Sequence, residues 1–107
     1  MPRKQIYQGQ PAATSAKAYT SASGVTTITA AVAFNGTAGA VSFSAWIVPA
    51  GGTATNANKI YNAVSVGAGA TIGLPFLVGQ TLEVGQELHV AAGTADTVSV
   101  TISGDVS

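Results

Sequence analysis

No cysteine occurs in the 107-residue chain, so it can build neither a disulfide framework nor a thiolate metal site. Charge is nearly as scarce. Four basic and four acidic residues make up 7% of the chain and cancel to a formal net charge of zero, where soluble domains carry roughly 25% charged residues. A free monomer normally spreads both signs over its surface and keeps its net charge away from zero. A coat this poor in charge suits a surface covered by other subunits, where scattered charges would bear a desolvation cost. A small neutral protein with a Ser/Thr surface is the plainer alternative. Arg3 and Lys4 form the only adjacent basic pair. That leaves no basic stripe to neutralise phosphates and argues against nucleic acid as a partner. No run approaches the roughly 18 apolar residues of a membrane span, so no membrane partner is expected. The opening stretch, MPRKQIYQGQ, lacks the apolar core of a signal peptide, and a secretory leader is not expected.

Ala, Gly, Ser and Thr supply 55 residues, yet large apolar residues recur among them at period two, which a linker would not maintain. From Ala40 to Val48, residues Val41, Phe43, Ala45 and Ile47 fall on one face of a strand, with Ser42, Ser44, Trp46 and Val48 on the other. Upstream, Ile28, Ala30, Val32 and Phe34 alternate with Thr27, Thr29, Ala31 and Ala33. The intervening Asn35-Gly36-Thr37-Ala38-Gly39 reads as a hairpin turn, since Asn and Gly tolerate positive φ. Pro49 to Gly52 ends the strand and residues 53–58 form a loop. Further strands carry Ile60, Val64 and Val66, then Ile72, Leu74, Phe76 and Val78, where Pro75 marks an edge or a bulge. Leu82 and Val84 lead into a turn at Gly85-Gln86. Leu88 and Val90 follow, and Val98, Val100 and Ile102 close the chain. Six to eight short strands without a helical stretch predict one all-β domain, an antiparallel β-sandwich of the jelly-roll or immunoglobulin-like kind, over residues 14–107. Residues 1–13 show no alternation and read as an extended N-terminal arm, either disordered or laid on a neighbour.

Chemistry is thinly represented. Glu87 and His89 share the outward side of their strand, where they form either an acid/base or metal pair or an ordinary solvated face. One imidazole and one carboxylate fall short of a zinc site. A Ser-His-Asp set from His89, Asp96 and a serine has no nucleophile elbow to support it. The carboxylates Glu83 and Glu87 flank a turn. Gly67-Ala68-Gly69 departs from the dinucleotide fingerprint, with its third glycine at Gly73 and no helix following. Asn35-Gly36-Thr37 fits a glycosylation acceptor, but its turn role explains it better. No enzyme, cofactor or metal is expected. Trp46 is either core at a strand end or an aromatic anchor in a subunit contact, where Trp is enriched. Tyr7 and Tyr61 are weaker candidates of the same kind, and Arg3 and Lys4 complete the expected interface residues. A Trp/Tyr surface also suits sugar rings.

Three stretches, TAGAVSFSAWIVPAGGTATNANKIYN, VSVGAGATIGLPFLVGQTLEVGQELHV and TADTVSVTISG, share a pattern. A strand ends in a hydrophobic-Pro-x-Gly-Gly turn, an Asn/Ala loop follows, and a Leu-Glu-x-Gly turn precedes a last Val-Ser-Val-Thr-Ile strand. In this the chain, from about Ala13 to Gly104, resembles the short β-sandwich virion proteins of tailed bacteriophages. It departs from them at Gln86, where an acidic residue is usual. The resemblance implies a head-decoration (cement) protein on the capsid exterior, made in the host cytoplasm. Its partners would be the major capsid protein and copies of itself, with a trimer as one option. A small tail or baseplate component is the alternative, and a carbohydrate-binding module the second.

Overall fold

Alternation of large apolar with small polar side chains produces strands throughout. The computed structural model describes residues 3–22 and 24–106 and has no helix among them. In chain order the strands are β1 (Arg3–Gly9), β2 (Ala16–Thr20), β3 (Thr26–Asn35), β4 (Val41–Val48), β5 (Lys59–Val66), β6 (Thr71–Gly73), β7 (Thr81–Leu82), β8 (Glu87–Ala92) and β9 (Val98–Val106). They form two antiparallel sheets. Sheet I has the order β1-β9-β3-β6, with β7 on the same side of β3 as a continuation of that edge, and sheet II has the order β2-β8-β4-β5. The pairs β1–β9, β2–β8, β3–β6/β7 and β4–β5 make the chain one long hairpin. The hairpin has β4–β5 at its tip, and successive pairs alternate between the sheets. That is the strand order of a jelly roll, the first of the two sandwich types expected, with β6 and β7 sharing one strand's place.

The core forms where alternation is strictest. Phe43 and Ala45 of β4, Leu88 and Val90 of β8, and Val98, Val100 and Ile102 of β9 are all buried. Their expected faces are the observed ones. Cross-strand pairing aligns them, Phe43 with Ala92, Ala45 with Val90 and Ile47 with Leu88. This stacking of like faces is what fixes register.

Three expectations are corrected. The segment after Asn35 is not a hairpin turn. β3 lies in sheet I and β4 in sheet II, so residues 36–40 carry the chain across the sandwich. The Asn35 side chain causes this by turning inward, where Nδ2 donates to the carbonyls of Gly39 (2.7 Å) and Val66 (2.9 Å). The same burial leaves no amide free for a glycan.

The described part of the expected arm, residues 3–13, is not detached. β1 pairs with β9 from Arg3–Asp105 to Gly9–Val100 and buries Ile6. Only Met1 and Pro2 of the expected arm lie outside the described residues.

The third correction concerns β3, whose alternation changes phase. A bulge between Ile28 and Ala30 leaves Ile28, Ala31 and Ala33 buried while Val32 and Phe34 face out. Close approach explains one glycine at this bulge. A Cβ on Gly104 would sit 2.7 Å from the Thr27 carbonyl oxygen of β3. Beyond Leu74 the run through Phe76 and Val78 also fails to alternate. Pro75 opens a turn, Leu74 and Leu77 go in, and Phe76 and Val78 go out. The turn is tied to β3 by Leu74 N–H to Ala31 O and Gly79 N–H to Ile28 O.

Candidate functional site

The two outer faces differ in chemistry. On sheet II, cross-strand pairing sets Lys17 beside His89, His89 beside Trp46, and Trp46 beside Lys59. Glu87, two residues before His89 and so on the same face, holds its Oε1 2.8 Å from His89 Nε2 and its Oε2 3.8 Å from Lys17 Nζ. The His89 hydrogen bond lowers the Glu87 pKa; desolvation opposes this, and the nearby Lys17 charge adds to it. Glu87 and His89 thus form a partly buried hydrogen-bonded pair, with the Lys17 ammonium beside it. No group of three or more His, Cys, Asp or Glu able to hold a metal occurs among the described residues.

Trp46 points away from the main core, as its face predicts, yet is only 9% exposed. It packs with Val48, Ala91 and Ala54 in a second apolar cluster, so the 49–58 loop folds back over the sheet. Lys59 Nζ lies 5.3 Å from the ring centroid. Beside it an open groove of about 310 Å³ is lined by Asn56, Lys59, Ile60 and Asn62.

The outer face of sheet I is different. One row across it runs Gln8, Thr101, Val32, Gly73, and the next runs Ser99, Phe34, Thr71. Gln10 Nε2 donates to Ser99 Oγ at 3.4 Å. Val32 and Phe34 are each 42% exposed, and no ionisable residue stands in either row. The charged residues of these strands, Arg3, Lys4 and Asp105, are confined to the end where β1 begins. Along the β6–β7 edge, Phe76 is 68% exposed and Val78 44%. Phe76 stacks obliquely on Tyr61 at 5.9 Å and donates its backbone N–H to the Tyr61 hydroxyl.

Two expected interface anchors are therefore corrected. Trp46 is covered by its own loop, and Tyr61, 8% exposed, belongs to the main core. Tyr7 is partly buried against that core, and burial pushes its phenol pKa up. Lys4 is exposed, and the Arg3 side chain lies outside the described residues. Of the side chains described, only Tyr61 touches an exposed apolar side chain beside sheet I, through its contact with Phe76. The alternation groups Val32 and Phe34 with Ile28, and Phe76 and Val78 with Leu74, yet these four face out, because the bulge at Ile28 and the turn at Pro75 each shift the phase of an otherwise regular pattern. Pro75 was the one visible signal.

No protein-family model, characterised protein or solved structure matches the chain.

Proposed function

We propose that the protein is a non-enzymatic structural component of a virion, a decoration protein that packs the outer face of sheet I against a capsid shell and neighbouring copies. The observation that carries this is the pair of rows through Val32 and Phe34, partly exposed apolar side chains bordered only by Gln, Ser, Thr and Gly. Apolar centres with uncharged surroundings are the composition of a protein interface core. Jelly rolls recur in viral capsid proteins, which adds a fold-level analogy and nothing about this site.

The sheet edges point to packing through faces. β1 and β2 are bulged opposite their partners, β5 is bulged against β4, and the β6–β7 edge is broken by the turn at Pro75. Bulges and short, interrupted edge strands block strand addition. Contacts made only in the assembled state stabilise it by mass action.

The test uses purified heads lacking the protein. Wild type is expected to cosediment with them, and Phe34→Lys, which puts a charge on an already outward position, is expected to lose binding while keeping its melting temperature. Copurification with tails alone would transfer the role to a tail or baseplate component. A soluble lone unit that binds no virion part would end the proposal.

A further inference from the structure

We propose that the groove between the 53–58 loop and β5 binds an acidic sugar, a hexuronate held through its carboxylate and ring hydroxyls. This goes beyond the packing role and uses the opposite sheet.

Charge is the first reason. The acid on this face, Glu87, is already engaged by His89 and Lys17. Among the described residues Lys59 meets no carboxylate; its ammonium rests on the Asn62 Oδ1 at 3.0 Å and above the Trp46 ring. A desolvated ring face and an amide oxygen hold the cation in place without neutralising it. An anion arriving there gains a charge-assisted hydrogen bond.

The rest of the lining suits a sugar. Asn62 accepts from Lys59 through Oδ1, which leaves its amide N–H groups to donate outward. Asn56 is exposed and takes no part in the hydrogen bonds that order its loop. Two carboxamides offer the paired donors and acceptors that vicinal hydroxyls need, and Ile60 gives an apolar patch for the C–H face. A cavity of about 310 Å³ lies at the lower end of small-ligand sites. Being open, it admits one residue of a longer chain.

The groove is also built in advance of any ligand. Asn58 Oδ1 accepts the Thr55 N–H at 3.0 Å, its Nδ2 donates to the Thr53 carbonyl at 3.0 Å, and its own carbonyl accepts the Ile47 N–H at 3.0 Å. On the other wall Ala63, at φ 52°, donates its N–H to Ser44 Oγ at 2.9 Å and fixes the bulge just after Asn62. Walls already ordered lower the entropy cost of binding.

Trp46 is the only tryptophan and lies under the ammonium, so its emission reports on the site. Trigalacturonate is titrated into the full chain, with maltotriose and acetate in parallel and calorimetry as a second readout. Trigalacturonate is expected to give a saturable shift at roughly 0.1–1 mM, with both controls at least about tenfold weaker. Lys59→Gln is expected to lose about tenfold or more, the effect of one charged hydrogen bond. Asn56→Ala is expected to bind more weakly while its ligand-free emission stays that of wild type. Absence of a saturable response, equal binding of either control, or wild-type affinity in both variants would overturn the proposal. Phe34→Lys is expected to keep the sugar response while losing heads, so failure of one reading leaves the other standing.

Discussion

The carboxamide of Asn35 is fully buried and uses both of its atoms twice: Nδ2 donates to Gly39 O and Val66 O, and Oδ1 accepts from the backbone N–H and the hydroxyl of Thr37. Truncation to Ala strands the buried Val66 carbonyl, while the exposed Gly39 carbonyl keeps the Thr37 hydroxyl as a donor, so Asn35→Ala is expected to cost about 1–3 kcal/mol. Urea unfolding should show it as a lowered midpoint at unchanged slope. The Asn-Gly pair was legible as a turn, but its kind was not. Whether the chain doubles back or crosses to the other sheet depends on where one amide points, and no pattern in residues 35–39 encodes that.

Glu87 governs a different property. Its pKa is lowered in the folded chain, first by the His89 hydrogen bond. A depressed acid stabilises the fold above its unfolded pKa and loses that contribution as pH falls through the folded one. The melting temperature should therefore decline on acidification from about pH 4.3 downward, and Glu87→Gln should flatten that limb while leaving the other carboxylates' share. An identical acid limb in the variant would show that Glu87 contributes nothing.

At the level of elements, legibility follows the bulges. β4, β8 and β9 keep strict period two between the sheets, and their buried faces were readable from the residues alone. β1 did not announce itself because a bulge between Gln5 and Tyr7 brings the adjacent Ile6 and Tyr7 both toward the core. Two neighbours facing one way erase the alternation that marks a strand. β3 is the converse: its alternation continues across the bulge at Ile28–Ala30, so a pattern exists but reports the wrong face for Val32 and Phe34. The same phase shift hides the candidate packing face, since Val32 and Phe34 are grouped by pattern with the buried Ile28.

The position of β1 makes a further prediction. Removing residues 1–9 uncovers the place of Ile6, part of that of Tyr7, and the edge of β9 from Val100 to Asp105. The loss of buried side chains alone is expected to cost about 3 kcal/mol or more, and the bared edge should promote aggregation. A detached arm would leave the melting temperature of the isolated protein unchanged, so differential scanning calorimetry of the truncated chain distinguishes the two.

Across the whole molecule, the all-β class was legible, but β1, β2 and the pairing were not, because only β4 pairs with the strand that follows it in the chain. Every other pair closes a longer loop, up to Arg3 against Asp105 at the two ends of the chain. Loop-closure entropy rises with the segment enclosed, so the tip around Phe43, Trp46 and Tyr61 is cheapest to assemble and β1–β9 the most expensive. A sandwich dominated by such distant pairings is expected to fold in milliseconds to seconds. Stopped-flow refolding followed by Trp46 emission would measure this, and conservative variants locate the order. Ile47→Val at the tip should slow folding in proportion to its destabilisation, whereas Ile6→Val should act almost wholly on unfolding. The reverse result would mean that the chain ends meet first, and that sheet I, with its uncharged outer face, forms before the tip that carries the groove.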